Sequence, residues 1–150
     1  ALSDTKIRFA FGETVLSSKL IDGTFPDYEK VIPTGNDKLL EIDCRQFAAA
    51  VDRVATISTE RSRSVKLEIS PNNLTLSASS PEAGSAREEI EVSYDKEPIE
   101  IGFNSKYLLD IAQQVKGETV QMLLADGASP TIVRDTADSS ALYVLMPMRV

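Results

Sequence analysis

The stretch LLEIDCRQFAAAVDRVAT, residues 39–56, sets the reading of the fold. Leu39–Ile42 is an apolar run of strand length. Asp43 follows as a helix N-cap, a residue whose side chain satisfies a backbone N–H left open at a helix start. Phe47, Val51 and Val54 then fall on one stripe at the helical period, with Arg45, Ala49, Asp52, Arg53 and Thr56 on the far side. After this helix, SVKLEIS and LTLSAS are joined by PNN as a hairpin, and AREEIEVSY alternates as a further strand.

The same order then returns. PIEIGFN predicts a strand, SKYLLDIAQQVKG a helix that stops at Gly117, and ETVQMLLAD, PTIVRDT and SALYVLMPM three more strands. Leu40–Ile42 matches Ile99–Ile101 at an offset of 59, whereas Phe47 and Val51 match Tyr107 and Ile111 at an offset of 60, so a single insertion separates the copies. Two copies are too few for a solenoid. They predict an α+β domain with internal pseudo-twofold symmetry, its antiparallel sheets on one side and its two helices together on the other.

Upstream, KIRFAF and TVLSSKLI flank a GE turn and read as a first hairpin. DGTFPDYEKVIPTGNDK is broken repeatedly by Gly and Pro and reads as a linker, with a domain boundary between Pro33 and Asp37. The expected division is therefore residues 1–33 and residues 34–150. The sequence starts without Met and reads as a fragment or a processed form.

Composition bounds the chemistry. At 150 residues, 42% hydrophobic and 26% charged, the chain has a globular balance. It contains no histidine, which removes Ser-His-Asp triads and His-based metal sites. There is no Gly-rich phosphate loop and no paired CxxC, and the carboxylates are scattered along strand faces. The single cysteine, Cys44, excludes an internal disulfide and reads as structural. Asn73-Leu74-Thr75 fits a glycosylation pattern, but its position at a predicted hairpin favours a turn. No catalytic residue, metal or cofactor is expected. The net charge of −7 repels nucleic acid on average, which leaves room for a local basic face. The ending ALYVLMPMRV is apolar to its last residue, and is either a buried final strand or a surface that receives something apolar.

SKLIDGTFPDYEKVIP, IEIGFNSKYLLDIA and YVLMPMRV, three separated segments in order, closely resemble the bacterial sliding clamp, the beta subunit of DNA polymerase III. The resemblance runs over all 150 residues and implies the DNA-clamp fold. Residues 1–33 would be the last strands and linker of the middle clamp domain, and residues 34–150 the third domain. It implies a bacterial cytoplasmic, nucleoid-associated processivity factor. Two subunits would close head-to-tail into a ring around duplex DNA, with helices lining the hole. Polymerase and clamp loader subunits would dock short peptide motifs in a groove.

By matching positions, the groove would take Pro26, Lys30 and Val31 from the linker, Asn104 and Tyr107 at the second helix, and Pro130. The run Val144, Leu145, Met146, Pro147, Met148, Arg149 and Val150 would complete it. Lys30 and Val150 stand where arginine and leucine are frequent in the family, and Pro130 where a serine is known. Arg45, Arg53 and Lys106 are the candidates to face DNA. Ile57, Glu82 and Glu88 are the candidates for the ring interface. The alternative is a non-enzymatic, β-rich interaction module unrelated to replication. A carboxylate-dependent hydrolase is disfavoured, because no converging pair of carboxylates is evident.

Overall fold

The computed structural model describes residues 1–24, 27–58 and 63–149. Its first strands, β1 (Lys6–Phe11) and β2 (Thr14–Lys19), pair antiparallel from Lys6–Lys19 to Phe11–Thr14. Gly12, at φ +54°, supplies the left-handed backbone that a two-residue hairpin turn requires. Directly paired residues share a face, so Ile7, Phe9, Phe11 and Leu16 form one apolar surface. Phe9, Phe11 and Leu16 are each more than half exposed. The linker carries one 3-10 turn, Tyr28–Lys30. Its later end is pinned: Asn36 Nδ2 donates to the carbonyls of Leu123 (2.7 Å) and Pro130 (2.9 Å).

The repeat follows. The first unit is β3 (Lys38–Asp43), α1 (Cys44–Ala55), β4 (Ser64–Ser70), β5 (Asn73–Ser80) and β6 (Gly84–Glu91). The second is β7 (Ile99–Asn104), α2 (Ser105–Ala112), β8 (Thr119–Leu124), β9 (Thr131–Asp135) and β10 (Leu142–Leu145). Two antiparallel four-stranded sheets result, in the orders β10-β9-β8-β3 and β6-β5-β4-β7. Each sheet joins the last three strands of one unit to the first strand of the other. The helices pack on each other and on the sheets, so one apolar cluster runs from Leu40 and Phe47 through Leu67, Leu76 and Phe103 to Met122 and Leu145. Phe47, Val51 and Val54 are all buried, as the stripe requires. Asp43 Oδ1 accepts from Gln46 N–H at 2.8 Å, and Asn104 Oδ1 accepts from Lys106 N–H at 3.0 Å, so both helices start on side-chain caps.

The structural register of the repeat differs from the one read in the letters. Lys38 and Ile99, Asp43 and Asn104, and Cys44 and Ser105 are each 61 residues apart, with no insertion between strand and helix. Phe47 therefore corresponds to Leu108, both buried, and the exposed Tyr107 corresponds to the exposed Gln46. The shared Glu between two aliphatic residues gave the offset of 59, but it pairs residues at different depths along the strand.

Helix α2 also ends earlier than Gly117. Val115 N–H still donates to Ile111, but the N–H groups of Lys116 and Gly117 donate to Asp135 Oδ2 at 2.8 and 3.2 Å. The buried Asp135 carboxylate thus draws the chain out of the helix towards β8. A side chain at Gly117 would place its Cβ 2.6 Å from Asp135 Oδ1. The PNN segment is a tight turn, with Asn72 at φ +59°, and Thr75 is buried in β5, so the glycosylation pattern is structural.

Candidate functional site

The C-terminal strand is an edge. Among the described residues β10 pairs only with β9, from Leu142–Arg134 to Leu145–Thr131, and alternate side chains along it point to opposite faces. Leu145 is 6% exposed and packs in the core with Phe47, Leu108 and Ile111, so its expected place in a groove wall is corrected to a core position. Val144 is half-buried on the outward face, and Met146 is 63% exposed. Pro147 has no N–H to extend the ladder, and pairing with β9 stops before it. Met148 N–H then donates to the Gly102 carbonyl at 2.8 Å, which carries the chain end onto the edge of β7. Pro147, Met148 and Arg149 line a recess of about 540 Å³ against Glu100–Gly102 and the loop at Gly127 and Ala128. Gly127 lies so close to β7 that an added Cβ would collide with the Glu100 carbonyl.

The first unit supplies an internal control. There the chain leaves β6 and bridges back to β3 through Glu41 and Ser93, as the second unit bridges β7 through Gly102 and Met148. Glu41 and Gly102 are again 61 apart, so Ser93 corresponds to Met148 and the buried Ile90 to the buried Leu145. On that alignment the outward positions of β6 are Arg87, Glu89 and Glu91, and those of β10 and its extension are Leu142, Val144 and Met146. The contrast spans the sheets. One outward row reads Glu89, Thr75, Glu68 and Glu100; the equivalent row reads Val144, Ile132, Leu123 and Leu39. In the charged row Lys66 bridges two carboxylates, its Nζ 2.7 Å from Glu68 and 2.8 Å from Glu100, and Arg87 pairs with Glu89.

The remaining groove candidates occupy three places. Asn104 ends β7 and caps α2, and Tyr107, 56% exposed, follows in the first turn, close in sequence to the Met148–Gly102 bridge. Pro130 immediately precedes β9, where Thr131 pairs with Leu145, and its carbonyl takes the Asn36 hydrogen bond. Lys30 lies on the linker turn and pairs with Asp27 at 3.2 Å, next to the exposed Val31. Pro26 and Val150 lie outside the described residues.

On the helix side, Arg45, Arg53 and Lys106 are all exposed. Arg53 is engaged, however. Its Nε donates to Glu88 Oε2 at 2.9 Å and its Nη2 to Glu88 Oε1, a fork-to-fork pair between α1 and β6. The hydrogen bond holds the Arg53 pKa above and the Glu88 pKa below their ordinary values. A candidate for DNA and a candidate for the ring interface are thus bonded to each other.

Lys106 lies in a recess of about 320 Å³ between the end of α1 and the start of α2, with Arg63, Asp110 and Gln113 among its walls. Sequence reading passed over Arg63 because it stands in a segment with no period. Its carbonyl accepts from Ser105 N–H at 2.7 Å and so fixes the start of α2. Ile57 is partly buried against the core, and Glu82 is exposed in the turn before the open outer edge of β6. Cys44 is buried, its Sγ 3.6 Å from the Ala112 carbonyl, and burial pushes its thiol pKa up, away from reactivity. Among the described residues no group of three potential metal ligands converges.

Residues 29–149 match the family model for the DNA polymerase III beta subunit, C-terminal domain. The chain belongs to the DNA polymerase III beta subunit family. It is 56% identical over 149 residues to the beta sliding clamp of Caulobacter vibrioides and 42% identical to that of Escherichia coli K12. These matches cover 99% of this chain and 40% and 41% of the relatives, so the chain spans about two fifths of a sliding clamp's length. Among solved structures it superposes on the Bartonella birtlesii sliding clamp bound to griselimycin with a TM-score of 0.90 at 51% identity, covering 99% of this chain and 40% of that one. The Caulobacter crescentus clamp gives 0.89 at 55%, with the same coverage. The clamp fold of a doubled strand–helix–three-strand unit is therefore shared, and the unrelated interaction module is set aside.

Proposed function

We propose that this chain serves a DNA replication processivity clamp, and that its own contribution is a peptide-docking surface along the C-terminal strand. Residues 1–33 are the end of a middle clamp domain and residues 34–150 a third domain. In the whole protein two subunits close head-to-tail around duplex DNA in the bacterial cytoplasm, with the helix face inward. Polymerase and clamp loader subunits are held by short motifs with apolar and aromatic anchors. The protein performs no chemistry and needs no cofactor.

The observation that carries this reading is the exchange of Arg87, Glu89 and Glu91 on β6 for Leu142, Val144 and Met146 at the equivalent positions of the second unit. The fold does not require apolar side chains there, since the first unit builds the same strand with charge. Methionine suits such a surface because its unbranched, polarizable side chain adapts to varied apolar anchors. Tyr107 adds an aromatic wall with a polar tip where the first unit has Gln46. The basic side chains on the helix face, among them Arg45, Lys106 and Arg63, meet phosphates without reading sequence, as sliding demands.

The test is titration of a short fluorescent peptide carrying leucine and phenylalanine anchors. Saturable binding weakened by Met148→Ala and Met146→Ala, but not by Arg87→Ala, is expected. Binding that ignores both methionines sinks the assignment.

A further inference from the structure

We propose that Glu88 withholds Arg53 from duplex DNA, and that neutralising Glu88 from the open edge of β6 frees Arg53 to contact a phosphate. The inference rests on the reading above that the helix face meets DNA, and it adds a link between that face and the edge strand. Along β6 the helix-side positions are Ala86, Glu88 and Ile90; Ile90 is buried and Ala86 packs against the core. Glu88 is thus a carboxylate on the core-facing side of an edge strand, where an ionised group needs a partner. The other acidic residues of β6 do not compete for Arg53: Glu89 and Glu91 face outward, and Glu89 pairs with Arg87 at 2.9 Å.

Arg53 reaches Glu88 from α1 with both prongs of its fork while its side chain stays 61% exposed. Glu88 keeps 25% of its side-chain surface and stands on a strand whose outer edge is unpaired. The pair therefore joins α1 to an edge strand while both side chains keep part of their surface exposed. The fold does not impose the pair. The position equivalent to Glu88 in the second unit is Tyr143, a neutral side chain packed against the core. Among the described residues, Arg45 and Lys106 have no carboxylate within 4.0 Å, so Arg53 is the helix-face candidate whose charge is held in check. A cation of another protein surface brought to the β6 edge would take over Glu88, so edge occupation would add a positive charge to the helix face.

The experiment is a double-mutant cycle read by fluorescence anisotropy on a labelled duplex across a salt series, using the whole chain. Glu88→Gln mimics neutralisation of the carboxylate while keeping its shape. It is expected to tighten DNA binding roughly three- to tenfold at about 50 mM salt and to steepen the salt slope by about 0.9, the value for one added phosphate contact. Arg53→Gln alone is expected to change binding less than about twofold, and the double variant to return to the wild-type value. A double variant as tight as Glu88→Gln would mean that only the lost negative charge matters, and would overturn the proposal. So would an Arg53→Gln loss as large in the wild-type background as beside Glu88→Gln. If none of the four forms bound DNA, the reading of the helix face would itself fail, which separates that failure from failure of the withheld arginine.

Discussion

The two repeat units run through the same order of elements and finish it differently. In both, a capped helix follows a six-residue strand, three strands return, and the tail bridges the unit's own first strand. In the first unit the outward face of the last strand is charged and its neighbours are tied by Lys66. In the second that face is apolar, and Met146, which continues it, is more than half exposed. Core positions are interchangeable between units, Phe47 with Leu108 and Ile90 with Leu145. What separates the units is what each leaves uncovered, and that is where function is sought. An apolar side chain at a position that its twin fills with charge is a stronger signal than exposure alone, because scattered exposed apolar residues are ordinary.

The comparison breaks most readily at its core register. Phe47→Ala is expected to cost about 3–5 kcal/mol and Leu108→Ala about 2–5 kcal/mol in urea unfolding. Gln46→Ala and Tyr107→Ala are expected to stay within about 0.5 kcal/mol, as surface changes do. A Tyr107 loss as large as that of Phe47 would restore the 60-residue register and undo the alignment. Next comes the seam that only the second unit closes with a glycine. Gly127→Ala is expected to cost about 1–3 kcal/mol as overpacking against the Glu100 carbonyl, and to loosen the chain end where it crosses β7. Hydrogen exchange at the Met148 amide would report that loosening.

Acid acts on both units: in the first, Glu88 and Glu68 are held below the ordinary carboxylate range by hydrogen bonds from Arg53 and Lys66. In the second unit, Asp135 is held below the ordinary carboxylate range mainly by the Ala137 and Lys116 backbone N–H groups, and Asp126 by those of Ala128 and Ser129 together with the Ser129 hydroxyl. Asp138 is lowered from 3.8 to about 2, first by Ser140 and then by Lys116. A carboxylate whose folded pKa is depressed stabilises above its unfolded value and loses that contribution as pH falls through the folded one. Stability is therefore expected to be flat above the ordinary carboxylate value of 3.8 and to fall towards pH 2. Asp135→Asn should blunt that fall in a thermal melt series, and an unchanged acid profile would count against the carboxylate's role at the end of α2. The smallest effect on stability belongs to the proposed docking face. Met146→Glu, which makes the second unit resemble the first, is expected to shift unfolding by less than about 0.5 kcal/mol. The same variant should weaken peptide binding at least tenfold in the titration.

Much of this was legible in the sequence because periodicity and caps are local. Asp43 ahead of the Phe47, Val51 and Val54 stripe, the GE and PNN turns, and the order of ten strands follow from residues close in the chain. What escaped lies in contacts between distant residues. Asp135 ends α2 from 18 and 19 positions downstream. Arg53 finds Glu88 across 35 residues, a pairing that neither element's own sequence announces. Leu145 sits within an apolar run, and only the pairing of β10 with β9 decides that it points inward while Val144 and Met146 point out. The Glu shared by the two copies also points to the wrong register, because burial, not letter identity, defines equivalence in a folded repeat.

The measurement that bears most directly on the central claim is amide chemical-shift mapping of this chain with the leucine- and phenylalanine-anchored peptide. The account predicts shifts concentrated at residues 144–149 and at Asn104–Tyr107, with the charged outward row of β6 silent. Shifts centred on β6, or spread evenly over both units, would contradict it.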